Sequence, residues 1–456
     1  MLTLVLGLLL GFPYSSGPHA GEFDFERDRV VLQDGRELRG VVLQRNDPEV
    51  LVLLRPGKRE LIPLTKVARV DTLRDRLAAF LRIRRPGLSL ASEWELAMEA
   101  HAAGLERTAR LQAYHVLLRD PQHAEAHAFL GHCRWGSDWK WDLDGKRVSA
   151  KTFLERSLDW NHRLVLESEH FTLETDCGLA RALECLFDLE AVYVWYLEHL
   201  GPLIQATEDV DAPNDERIAF QIHPSREDPN FQQLTSVREP YYEPELTSSA
   251  TGSANVVRTY YADGHERPER LFELATEAFL YSTLVLGRTI DEADYKIRRL
   301  SHWAEVGLGA WIALHCAGPA GFVTIRKPFE GGIALDPATA RASLEAIRGP
   351  HVLNKGRSEL ANLVDVPFFE LVGAEASVPL VRARAASFVA YLIEVDPPLA
   401  HSDGMPRARD ALWRYFREIY GTQAAYAAGA FTDGLAGTRI DRFEADWKAW
   451  TARFTR

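Results

Sequence analysis

The chain has 456 residues, 46% of them hydrophobic and 26% charged, with a formal net charge of −12 at pH 7. That length fits roughly two to four domains, and the apolar content fits packed cores, which excludes a disordered chain. The acidic balance, with no run of Lys or Arg interleaved with aromatics, argues against nucleic acid as a partner.

Residues 1–13 form an apolar block of signal-peptide length, followed by the small and polar stretch Ser15-Ser16-Gly17-Pro18-His19-Ala20-Gly21. Residues 1–21 therefore read as a secretory signal peptide, and an exported protein, periplasmic or extracellular, is expected. No Lys or Arg precedes the block, so a misassigned start codon or a buried N-terminal strand are the alternative readings. No later run reaches the ~20 apolar residues of a membrane helix, and no transmembrane span is expected in the mature chain. Cys133, Cys177, Cys185 and Cys316 lack C-x-x-C spacing, so zinc held by thiolates is not expected. Cys177 and Cys185 could bridge only if Cys177 precedes the helix that carries Cys185; buried free thiols are the alternative.

Residues 22–72 alternate short β-rich runs with turns such as Asp34-Gly35, Asn46-Asp47-Pro48 and Pro56-Gly57. Four to five short strands in so few residues point to a small SH3-like or Sm-like barrel, read as a structural or docking module. Residues 73–134 change to helical periodicity and resemble one tetratricopeptide helical hairpin, with Asp120-Pro121 between helices. A single such unit cannot bury its face alone, so it is expected to be a connector. His123 and His127 have i,i+4 spacing but no accompanying ligand pattern, and are expected on a solvated helix face. Residues 135–160, with Trp135, Trp139 and Trp141, read as an aromatic-rich hairpin and linker sealing a domain junction.

From residue 161 to 336, strand and helix alternate: a strand over 164–175, a helix over 178–199, a strand over 216–223, and an extended segment reaching Tyr261. The last of these is expected at the edge of a sheet. Residues 337–456 read as helical with Gly and Pro breaks.

Two segments carry the chemical question: Leu271-Phe-Glu-Leu-Ala-Thr-Glu-Ala-Phe-Leu280 and Leu300-Ser-His-Trp-Ala-Glu-Val-Gly-Leu-Gly-Ala-Trp311. In zinc proteases with H-E-x-x-H, two His four residues apart bind the metal and the Glu between them is the general base. Together with Glu169-His-Phe-Thr-Leu-Glu-Thr-Asp176 and the helical runs at 383–392, 415–421 and 443–450, they make residues from about 160 onward resemble the peptidase-MA-like gluzincins found as exported bacterial proteins. In that group a second helix commonly reads W-x-x-E-G-x-A and its Glu is the third ligand.

With Glu273 aligned on the general base, the ligand positions that the resemblance implies fall on Phe272 and Thr276; with Trp303 and Gly307 aligned on W-x-x-E-G, the third falls on Val306. Only Glu273 keeps its chemistry. His265-Glu266 is the sole H-E pair, and Pro268 with no second His argues against a motif there. The expected fold class is thus α+β, with a small β barrel, a helical hairpin connector, and a gluzincin-like α+β domain with a helical C-terminal subdomain. The expected function is noncatalytic binding of protein or peptide, without a cofactor, by strand pairing in a cleft lined by Ser249, Gly252, Asn255, Val257 and Trp303. One alternative is a hydrolase with zinc on the rearranged ligands Glu273, Glu277, His302 and Glu305. Another is a scaffold in an envelope assembly.

Overall fold

The computed structural model describes residues 27–46, 48–55, 58–143, 145–204, 206, 217–234, 240–243, 256–284, 302–329, 335–345, 360, 363–364, 378–398, 407–420 and 440–456. The signal peptide expected at 1–21 lies outside these residues.

The chain opens with five antiparallel strands: β1 (Asp28–Leu32), β2 (Glu37–Asn46), β3 (Glu49–Arg55), β4 (Lys58–Pro63) and β5 (Val67–Asp71), in the order β4-β3-β2-β1-β5. Alternation along β1 buries Val30 and Leu32 with Val42, Val50, Val52 and Ile62 on one face, while Val41, Leu43 and Leu53 pack on the other. Gly40 permits the tight β2–β3 contact, since a Cβ there would lie 2.7 Å from the Leu53 carbonyl oxygen. The expected strand count is present, but the sheet stays open: β4 and β5 end it, and no pairing joins them among the described residues. Buried Asp28 ties the sheet forward, accepting from the amide of Val42 at 2.8 Å and from that of Leu73 at 2.7 Å.

Leu73 begins α1 (Leu73–Ile83), capped by Thr72, and α2 (Leu90–Ala102), capped by Ser89, follows. Then come α3 (Glu106–Arg119) and the short α4 (Ala124–Phe129). Gly104, at φ 76°, makes the turn between α2 and α3, which pack against each other, and Asp120-Pro121 lies between α3 and α4. The Trp-rich stretch is a three-stranded antiparallel meander, β6 (Cys133–Trp135), β7 (Asp138–Leu143) and β8 (Lys146–Ser149), followed by α5 (Ala150–Arg156). Buried Trp141 packs against Phe153 and His132, with ring centroids 4.9 and 4.7 Å away.

His127 corrects the solvated-face expectation: it is fully buried, its ring stacked on Trp139 at 4.5 Å. Its Nε2 lies 3.0 Å from the Pro121 carbonyl oxygen and its Nδ1 lies 2.8 Å from Nδ1 of His132. Burial pushes His132 down to about 4, with His127 adding to the effect. His123 instead caps α4.

The second sheet, in the order β12-β13-β11-β10-β9, contains β9 (Leu164–Glu167), β10 (Phe171–Thr175), β11 (Ile218–His223), β12 (Tyr241–Glu243) and β13 (Val256–Tyr260). β10, β11 and β13 run parallel; β9 and β12 are antiparallel to their neighbours. The single strand expected over 164–175 is therefore a hairpin turning at Ser168–His170. Between β10 and β11 runs α6 (Leu179–His199), which is almost wholly buried, continued by α7 (Gly201–Ile204). α8 (Pro229–Leu234) precedes β12.

Helices α9 (Leu271–Leu284), α10 (His302–His315), α11 (Pro337–Leu344), α12 (Val378–Glu394), α13 (Ala408–Ile419) and α14 (Ile440–Ala452) complete the fold, with the small hairpin of β14 (Cys316–Ala317) and β15 (Thr324–Ile325) between α10 and α11. One continuous hydrophobic core runs from Leu73 through α6, α9, α10 and α12 to Trp450. The fold is thus mixed α and β, with an N-terminal antiparallel sheet and a helical C-terminal region. Among the described residues no helix is long and apolar enough to cross a membrane.

Candidate functional site

Helix α9 lies at the centre of the molecule because its residues are apolar on every side; only Glu273 and Leu284 escape full burial. Helix α10 crosses it at Gly309, where a Cβ would come within 2.7 Å of the Glu273 Cα. On α10's other side, Gly307 meets α12, where a Cβ would lie 2.6 Å from the Ala385 carbonyl oxygen. These two glycines let three backbones approach closely, so the Glu273 carboxylate comes within reach of α12.

That carboxylate is held by two guanidiniums. Arg382 Nη2 of α12 donates to Glu273 Oε1 at 2.7 Å and Oε2 at 2.6 Å, and Arg270 Nε donates to Oε2 at 2.9 Å. Arg270 has φ 57°, a left-handed conformation costly for a residue with a Cβ, and its Nη1 also donates to the Pro240 carbonyl at 3.2 Å. Burial pushes the Glu273 carboxyl up, but Arg382 and Arg270 outweigh it and hold the group below the usual carboxylate range. Arg382 is itself pushed down by burial and by Arg270, with Glu273 opposing.

The three positions where the resemblance implies metal ligands are otherwise engaged. Phe272 is buried with the Arg267 guanidinium 5.5 Å from its ring centroid. The Thr276 hydroxyl donates within its own helix to the Phe272 carbonyl at 2.7 Å. Val306 is part of the hydrophobic core.

Among the described residues of the rearranged ligand set, Glu273 turns to the arginines. Glu277 and Glu305 are both buried and both act on Tyr420, whose hydroxyl donates to Glu305. Burial, then Glu305, raises the Tyr420 phenol well above its ordinary range, so it stays a donor at neutral pH. The His302 side chain lies outside the described residues. Among the described residues, no group of three or more His, Cys, Asp or Glu is arranged to hold a metal ion.

Of the expected binding residues, Ser249, Gly252 and Asn255 lie outside the described residues. Val257 is fully buried in β13, which corrects the edge-strand expectation: β13 pairs with β11 on one side and, over Val256–Arg258, with β12 on the other. Among the described residues the short β12 ends the sheet instead. Trp303 is buried, 5.5 Å from Phe388 and 6.1 Å from Tyr415 by ring centroids, and acts as core. Sequence reasoning missed Arg382 and Tyr420. A visible signal existed at Arg382, a cation between Val381 and Ala383 on a largely apolar helix, which must find an anion or water.

No protein-family model matches the chain, and no curated protein matches it in sequence.

Proposed function

We propose that the chain is a noncatalytic pseudopeptidase of gluzincin type, acting by binding protein or peptide in the cell envelope or outside the cell. The observation that carries this reading is the double guanidinium clamp on Glu273. A general base must reach a water and hold a proton near neutral pH. Both Glu273 oxygens accept from Arg382, and the depressed carboxyl makes a poor proton acceptor. Phe272, Thr276 and Val306 supply no imidazole or carboxylate at the ligand positions that the resemblance implies. The binding mode is strand addition at β12, the end of the second sheet, in place of the β13 edge.

The test is elemental analysis of protein purified without chelator, paired with hydrolysis of an unstructured protein substrate. No turnover and no stoichiometric metal are expected. Turnover that Glu273→Gln abolishes, or zinc at one equivalent that the same substitution removes, overturns the reading.

A further inference from the structure

The parallel strands β10, β11 and β13 point their carboxyl ends toward a second group of ionisable residues. Open sheets of this kind gather polar groups at that end, where the chain turns away from the ladder. Thr175 of β10 pairs with Ile222 of β11, so the next residues along, Asp176 and His223, are neighbours on the same face. His223 is fully buried and Asp176 is 5% exposed.

The His223 ring lies between two aromatics, Trp160 at 4.2 Å and Phe231 at 5.6 Å between centroids. Neither ring nitrogen has a hydrogen-bond partner among the described residues, and neither does Oδ1 of Asp176. Buried polar atoms are rarely left in that state, and each costs about 1–3 kcal/mol unless it is satisfied. The surrounding charges come from four elements. Asp228, before α8, has Oδ1 3.7 Å from Nδ1 of His223, but that oxygen already accepts from the amides of Asn230 at 2.7 Å and Phe231 at 3.3 Å. Arg258 of β13 and Arg163 beyond Trp160 both oppose a positive charge on His223. Arg163 is occupied by Glu174 and Arg258 by Gln221 and Tyr241. Asp159, which caps the turn holding Trp160, acts on Asp176.

We propose that Trp160 and His223 form a proton-operated latch over the carboxyl ends of β10 and β11, in which proton uptake by His223 expels the imidazole from beneath Trp160 and releases the Trp160 and Phe231 rings that pack on it. A neutral imidazole tolerates two aromatic walls. Protonation adds a second N–H donor that no described residue accepts from; Asp228 favours the charge, but burial, Arg258 and Arg163 together outweigh it. Burial, with Asp228 and Asp159, pushes Asp176 up to about 6, so this carboxylate is neutralised before the closed imidazole is charged. Burial holds His223 down to about 4 in the closed form, whereas an open imidazole titrates near its usual value of about 6.5. The open form therefore binds the proton more tightly, and the closed form loses ground as pH falls from about 6.5 toward 4.

The test is amide hydrogen exchange, corrected for the intrinsic pH dependence, over peptides spanning 159–163 and 229–234 at pH 7.5 and 4.5. At least a tenfold loss of protection at pH 4.5 is expected in the wild type, and less than twofold in His223→Phe, which keeps the ring and removes the titration. Equal protection at both pH values, or the same loss in the variant, overturns the latch. Exchange of the imidazole C2 hydrogen in the wild type tests it without any variant. Slow exchange with a midpoint below pH 5.5 is expected at His223, and a midpoint at or above 6.5 overturns it.

Discussion

The N-terminal sheet and the body that follows it solve the same problem at different scales. In the sheet, six buried aliphatic residues between Val30 and Ile62 form a core that includes no side chain from beyond residue 71. From Leu73 onward, a single core joins the connector, the second sheet and the C-terminal helices. The first region is built from neighbours in sequence, whereas the second closes contacts over hundreds of residues. Local closure makes a module; distributed closure makes a body in which a change at one point is felt everywhere.

The sharpest way to break this contrast is Phe279→Ala. Phe279 is fully buried and its ring meets those of Phe171, Tyr193 and Tyr196 at 5.9, 5.0 and 5.4 Å. A loss of about 3–5 kcal/mol is expected. In urea, residues from 73 to 450 should lose exchange protection together while the first sheet keeps its own. Next comes Gly309→Ala, expected to cost about 1–3 kcal/mol because the added methyl meets backbone at Glu273 that cannot step aside. Val52→Ala should cost about 2 kcal/mol, lowering protection over 28–71 and leaving the body unchanged. If the Val52 variant lowers the main transition equally, the two regions are one cooperative unit and the comparison fails.

The smallest effect is the acid dependence contributed by Glu273. Its folded carboxyl lies below the usual range, so its stabilising contribution is present above the unfolded value of about 4.5 and is lost as pH falls through the folded one. Urea unfolding of the wild type between pH 7 and pH 3.5 should show this loss, and Glu273→Gln should show less of it.

What could be read from the sequence divides along the same line. Helices whose pattern is local were legible: 178–199 was expected and Leu179–His199 is observed, with Gly178 at φ 88° setting its start. The five strands before residue 72 were legible from turns such as Asp34-Gly35. Closure was not, because the pairing of terminal strands leaves no mark on either one. The same reason hid the burial of His127, which depends on Trp139 and His132, and the position of β13, which depends on whether β12 returns beside it. At the candidate site, the absence of ligand side chains was plain, but the partner that fixes Glu273 lies 109 residues away.

Arg84 carries a consequence for synthesis. Its guanidinium is buried between the rings of Phe187 at 3.6 Å and Phe322 at 4.1 Å, bonded to Gln112 and to the carbonyl of Gly321. Burial pushes this cation down to about 10, so the site is favourable only once both rings and both acceptors surround it. Those groups come from residues 112, 187, 321 and 322, the last of which emerges from the ribosome long after the connector helices have formed. During translation the connector must therefore wait with a hydrated Arg84, and its docking onto α6 becomes final only when the hairpin beyond α10 arrives.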